Sequence, residues 1–153
     1  MKTSTDKKIA KPAGAEAMLD LSVAVIELYF RLEATTQAIA GFAHAGGEWG
    51  VLRSLIDGGP QTVPDMARAR PVSRQHCQTI VNGLEAQGLV EFIANPKHAR
   101  SQLVRVTRKG RAWYKEMTDR FLLAAGPFGQ HFEAREVASA TGLLRSAREI
   151  LGT

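Results

Sequence analysis

The first long pattern in the chain is a double one. Leu19, Val23, Ile26 and Phe30 recur at helical spacing, while Leu21, Val25, Leu28 and Leu32 make a second apolar row on another side of the same helix. A helix over about 15–44 is predicted. A chain this small covers one of the two rows comfortably, so the other calls for a second copy of the chain. A short helix over 48–56 follows, with Trp49, Leu52 and Ile56 inward and Gly58-Gly59-Pro60 as its stop. Two short helices between Thr62 and Leu89 meet at a tight turn. Leu89 to Gly110 then alternates β-branched and aromatic residues around Asn95-Pro96, which predicts two strands and a loop. Thr107 is placed to cap a helix over 108–125 carrying Trp113, Met117 and Phe121, with Gly126-Pro127 and Gly129 expected to break it. A last helix over 133–151 carries Val137, Leu144 and Leu151, with Leu143, Ala147 and Ile150 nearby.

The two short helices have well-marked ends. The Thr62 hydroxyl can accept from the amide of Asp65, and Pro64 sits in the first turn, where a missing N–H is harmless. Pro71 disfavours a helical Arg70 and ends the first helix. Ser73 offers a second N-cap, and Val72 with Cys77 has the spacing of a hydrophobic staple. Helix, short turn and helix make a helix-turn-helix. In the second helix Cys77, Ile80, Val81 and Leu84 share the core face, whereas Arg74, Gln75, Gln78, Thr79 and Asn82 lie opposite. Arginine can bridge two guanine acceptors and Gln or Asn can bridge adenine, so this face suits the major groove. Alone, such a row is equally the wet side of an amphipathic helix.

The next segment tips the reading. The loop after Asn95-Pro96 holds Lys97, His98 and Arg100 with no acid, and a basic hairpin directly after such a helix makes a winged helix. The expected fold class is mainly α: a winged helix-turn-helix with a two-stranded β-wing, plus N- and C-terminal helices forming a dimerisation platform. Residues 1–14 are expected to be a flexible basic tail and 15–153 a single domain. Within it, 15–44 and 111–153 are the dimerisation helices and 48–110 the DNA-binding unit.

Residues 49–110 resemble the MarR family of bacterial transcription regulators. The matching stretches are TVPDMA before the turn, VSRQ opening the second helix, LEAQGLV at its end, NP starting the wing and LVRVTRKG leaving it. The resemblance extends over the chain in helix order. It implies a homodimer in which the first helix interlocks with the partner's terminal helices. It also implies a small, often aromatic or phenolic, anionic effector held between platform and winged helix. Tyr29, Phe30, Phe42, His44, Trp49 and Arg53 lie near where that cleft would be; read singly, each is as readily packing or a locally satisfied polar group. The family's wing usually reads Asn-Pro, any residue, Asp-Arg-Arg, whereas here His98 and Ala99 stand at the acid and the first arginine. Lys97 or Arg100 would then have to replace the usual wing-tip arginine.

Charge placement supports the same unit. The formal net charge is +5, but Arg68 to Arg111 contains nine basic residues against Glu85 and Glu91, which leaves the remainder slightly negative. Concentrated positive charge is the footprint expected for phosphate. With 44% hydrophobic and 23% charged residues the composition is that of a globular domain. One cysteine permits no internal disulfide and no signal peptide is evident, so the cytoplasm is the expected compartment. The most apolar run, Met18 to Phe30, contains Asp20 and Glu27 and is too short to span a bilayer.

Other chemistry is sparse. Cys77 could be a redox sensor, but it occupies an apolar slot where cysteine acts as a small hydrophobe. His44, His76, His98 and His131 contain no i, i+4 metal pair, although distant histidines can converge in space. No cofactor or metal is expected, and no motif supports catalysis. The expectation is a sequence-specific regulator of double-stranded DNA, a repressor released by a small effector and binding a pseudo-palindromic operator. Ser73 would touch phosphate, Arg74, Gln75, Gln78, Thr79 and Asn82 would read bases, and Lys97 and Arg100 would hold backbone or minor groove. The alternative is a winged helix that contacts an acidic protein without preference among DNA sequences.

Overall fold

The computed structural model describes residues 12–40, 47–70, 72–98 and 100–152. Six helices and two strands follow in the order α1 (Ala15–Ala40), α2 (Glu48–Gly58), α3 (Val63–Ala69), α4 (Arg74–Ala86), β1 (Val90–Ile93), β2 (Leu103–Val106), α5 (Arg108–Gly129) and α6 (Ala134–Leu151). The strands pair antiparallel, with Val90 opposite Val106 and Ile93 opposite Leu103. Gln61 bridges Val104 from the far edge of β2, with Gln61 N–H to Val104 O at 3.2 Å and Val104 N–H to Gln61 O at 2.8 Å. This third partner was not legible in the sequence, because one residue carries no alternation.

The core is local to the winged helix. Val51, Leu52 and Leu55 of α2 pack with Met66 of α3, with Cys77, Val81 and Leu84 of α4, and with Leu89, Val90 and Val104 of the wing. Thr62 caps α3 by accepting from the Asp65 amide at 3.3 Å, and its hydroxyl donates to Asp65 Oδ2 at 2.7 Å. Ser73 caps α4 by accepting from the His76 amide at 3.1 Å. The far end of α4 closes with Gly88 N–H to Glu85 O at 2.8 Å and Leu89 N–H to Leu84 O at 2.9 Å. That pair of bonds puts Gly88 at φ 71°, a left-handed value that glycine adopts without steric cost.

Cys77 belongs to this core, only 1% exposed. Burial pushes its thiol above the ordinary cysteine range, and the Arg70 guanidinium offsets that only in part. A redox nucleophile needs an exposed thiolate, so Cys77 is a packing residue here.

Three expectations are corrected. Gly126-Pro127 does not end the fifth helix, which runs to Gly129. Pro127 forfeits one amide bond, and Gly126, with no Cβ to meet the ring, tolerates the helical conformation before proline. Along that helix Trp113 is half-buried against the core and Met117 is buried, but Phe121 is 45% exposed, because among the described residues the winged-helix core reaches along α5 only as far as Tyr114. Both apolar rows of α1 are uncovered in the single chain, with Phe30 63% and Leu19 64% exposed, although α1 packs along α5. Smaller differences are at helix ends: α2 continues past Ile56 to Gly58, and the part of the first helix expected beyond Ala40 lies outside the described residues, as does the tail up to Lys11.

Among the described residues, the exposed large hydrophobics lie on α1, on α5 from Phe121 onward, on the turn after it and on α6. No helix among the described residues is long and apolar enough to cross a membrane.

The start of α5 is fixed by close approach. Thr107 caps it by accepting from the Gly110 amide at 3.0 Å, while its own N–H donates to Leu89 O at 3.0 Å and its hydroxyl to Gly88 O at 2.8 Å. A Cβ on Gly110 would collide with the Leu89 carbonyl oxygen and meet Leu89 C and Val106 Cγ2 at 2.9 Å. Backbone cannot retreat as a side-chain tip can. Gly110→Ala is therefore expected to destabilise the fold by about 3 kcal/mol, the upper range for overpacking, read by urea denaturation; an unchanged midpoint would show that the contact is not fixed.

Candidate nucleic-acid interface

The outward face of α4 is built by the same residues that bury its inner face. With Cys77, Val81 and Leu84 turned into the core, the helical repeat leaves Arg74, Gln75, Thr79 and Asn82 exposed and Gln78 half-exposed. Gln78 Nε2 donates to Asn82 Oδ1 at 2.8 Å, which orients the two amides and leaves Gln78 Oε1 as acceptor and the Asn82 amide nitrogen as donor. Thr79 donates its hydroxyl to Gln75 O at 3.0 Å, so its methyl is the group it keeps for an outside contact. Ser73 is exposed and uses its oxygen as an acceptor in the cap, and its hydroxyl hydrogen is still able to donate.

The wing loop is a closed turn. Asn95 Oδ1 accepts from the Lys97 amide at 3.0 Å, His98 N–H reaches Asn95 O at 3.3 Å and Ser101 N–H reaches His98 O at 3.1 Å. Lys97, His98 and Arg100 are exposed on it; Ala99 lies outside the described residues. Charges elsewhere in the basic stretch are committed within the fold. Arg105 pairs with Glu91 at 2.8 Å across the strands, Arg68 with Asp65 at 2.8 Å, and Lys109 Nζ donates to Gln87 O at 2.7 Å. Among the described residues no ion pair engages Arg74, Lys97 or Arg100. Arg74 on α4 and Lys97 and Arg100 on the wing tip are thus among the exposed cations left to meet an anion, as are Arg108 and Arg111 at the start of α5.

Sequence reasoning missed the groups that hold α4 from behind. Gln87 Nε2 donates to Glu48 Oε1 at 2.9 Å, tying the end of α4 to the start of α2, while Lys109 ties it to α5. Only the contiguity of Thr107 with Lys109 and Gly110 hinted at it.

The expected effector residues fall into separate groups. Trp49 stacks on Tyr114 with centroids 5.4 Å apart and donates from Nε1 to Thr118 Oγ1 at 3.1 Å, and the Arg53 guanidinium lies 5.4 Å from the Trp49 ring. Arg53 also approaches Asp57 at 3.6 Å. Tyr29 and Phe30 meet edge to face at 5.6 Å on α1, where Phe30 also lines a groove of about 670 Å³ with Ala24, Glu27, Leu28 and Arg31. Glu33 accepts from the Tyr29 hydroxyl at 3.2 Å, and its charge is the main reason that phenol is held above its ordinary pKa. Phe42 and His44 lie outside the described residues. No group of three His, Cys, Asp or Glu that could hold a metal occurs among the described residues.

Comparison with known proteins adds an independent line. The model of the MarR family matches residues 43–101. An uncharacterized protein of Mycobacterium tuberculosis is 33% identical over 100 residues, covering 65% of this chain and 69% of its own. The transcriptional activatory protein BadR of Rhodopseudomonas palustris is 29% identical over 117 residues, 69% of this chain and 65% of BadR. The solved structure of Bordetella bronchiseptica BpsR, described as regulated in DNA binding by 6-hydroxynicotinic acid, superposes with a TM-score of 0.71 at 22% identity, covering 90% of this chain and 97% of BpsR.

Proposed function

Because the chain belongs to the MarR family of transcription regulators, we propose that it binds a pseudo-palindromic operator as a homodimer in the cytoplasm, as a repressor released by a small aromatic acid. The observation that carries the DNA-reading assignment is the outward polar row of α4, whose Arg74 is in no ion pair, beside an acid-free basic wing loop. Arg74 offers the fork that matches guanine, Gln75, Gln78 and Asn82 offer amides that match adenine, and the Thr79 methyl suits thymine. Ser73, Lys97 and Arg100 serve phosphate and minor groove, which sets register without reading sequence.

The apolar faces of α1 and α6 support pairing of two copies. A two-fold axis would set the two α4 helices about 34 Å apart, one turn of the duplex. An effector would act by favouring a platform arrangement in which that spacing is wrong for both half-sites together. The Trp49–Tyr114 stack with Arg53 alongside has the chemistry of an aromatic carboxylate site, a flat surface and a cation. BpsR, with its pyridine acid, supports that class.

Arg74→Ala is expected to cost about 1 to 3 kcal/mol on the selected operator and little on random duplex, whereas Lys97→Ala weakens both alike and flattens the salt dependence by about one unit of slope. Gel shifts with and without competitor read both; equal losses on both DNAs for Arg74→Ala would point instead to a basic face for an acidic protein. Ile26→Glu places a charge in the exposed α1 row and is expected to give a folded monomer by sedimentation, with unaltered dimer excluding this interface. In a thermal-shift series, benzoate-type acids should raise the melting temperature of the wild type but not of Arg53→Ala, and an equal rise in both would remove Arg53 from the site.

A further inference from the structure

Resting on the DNA-binding reading above, we propose that Gln78 and Asn82 work as one joined reading element, in which Asn82 positions the Gln78 amide so that its carbonyl oxygen selects the amino group of adenine. The two side chains are already bonded in the protein by itself, Gln78 Nε2 donating to Asn82 Oδ1 at 2.8 Å, with Asn82 exposed and Gln78 half-exposed. Their backbones are pinned as well. Gln78 directly follows Cys77 and Asn82 directly follows Val81, which are 1% and 0% exposed in the core beneath α4. Residues four apart are neighbours on one helix face, so the bond joins two fixed points.

The bond decides which atoms are left for a base. Gln78 gives a hydrogen to Asn82 and keeps Oε1 as an acceptor, while Asn82 commits Oδ1 to Gln78 and keeps its amide hydrogens as donors. An amide free to turn presents oxygen or nitrogen to a base edge with equal ease, whereas the joined pair holds one arrangement. In the major groove adenine places its N6 amino donor beside the N7 acceptor, which complements an acceptor and a donor held side by side. Guanine and thymine would set an oxygen against Gln78 Oε1, and cytosine carries an amino group with no acceptor beside it on the same ring. The Thr79 hydroxyl does not compete for either amide, because it donates to Gln75 O at 3.0 Å.

Order held in advance also matters to affinity. Long polar side chains lose rotamer freedom when a partner fixes them, and the bond between Gln78 and Asn82 removes part of that freedom before the duplex arrives. The same bond would form if the pair only steadied the exposed side of the helix. The two roles part at Asn82→Ala. A pair that only steadies the helix affects stability and leaves base preference alone, whereas a positioning Asn82 takes the discrimination made by Gln78 with it when it is lost. Asn82→Asp restores the positioning group, since a carboxylate still accepts from Gln78 Nε2.

The test uses the full chain and a duplex of about 30 bp that the wild type selects from a random pool, long enough for two half-sites. Each adenine of one half-site is replaced in turn by unsubstituted purine, which lacks the N6 amino group, and dissociation constants are measured at fixed ionic strength. At one adenine the wild type is expected to lose about tenfold in affinity. Gln78→Ala and Asn82→Ala should both be indifferent to the amino group there, to within about twofold, and Asn82→Asp should recover the wild-type sensitivity. The comparison is a ratio within each variant, so a general loss of affinity from the added carboxylate cancels. Full amino sensitivity in Asn82→Ala overturns the proposal, and so does its absence in Asn82→Asp. A selected operator in which no adenine depends on Gln78 also overturns it and leaves the DNA reading intact; a wild type that selects no sequence at all overturns that reading as well.

Discussion

The arrangement of the molecule depends on one close approach, the first turn of α5 lying on the Gly88-Leu89 turn at the end of α4. Gly110 has no side chain because the Leu89 carbonyl occupies the space one would need. Thr107 joins three elements at that point, since it ends the wing, caps α5 and bonds to both carbonyls of the turn. Gln87 and Lys109 extend the knot to α2 and along α5. The direction of α4 is thereby tied to the direction of α5. In a regulator that answers a ligand by changing the spacing of two such helices, a stiff joint of this kind is what carries a platform movement to the duplex.

Burial is divided unevenly along the chain. The well-packed core is confined to α2, α3, α4, the wing and the first turns of α5, where the short amphipathic elements each have one apolar side and a neighbour to cover it. The long helices carry apolar side chains on more sides than one chain covers. Met117 and Phe121, one turn apart on a single helix, mark the boundary: the first is buried, the second exposed. The winged helix has its own buried core, whereas the long helices leave apolar surface uncovered in the single chain.

Electrostatics are similarly selective. The basic stretch is dense in sequence, but Arg68, Arg105 and Lys109 are each held by groups of the fold, and exposed ion pairs of this kind add little stability while removing a charge from outside use. What is left includes Arg74 on the leading turn of α4 and Lys97 and Arg100 on a wing loop that carries no acid, besides Arg108 and Arg111 at the start of α5.

The sequence by itself determined the element order, the caps at Thr62, Ser73 and Thr107, the faces of α4 and the family, because each is written in short-range spacing: a hydroxyl three residues before an amide, an apolar residue every three or four. It also marked the first helix as having more apolar surface than one chain would cover. Tertiary structure decided that Gly126-Pro127 lies within a helix, that Phe121 parts company with Met117, that Gln61 pairs with the wing, and which of the nine basic residues are already engaged. Those outcomes turn on which surfaces meet across long stretches of chain, and spacing along a sequence does not record distance through space.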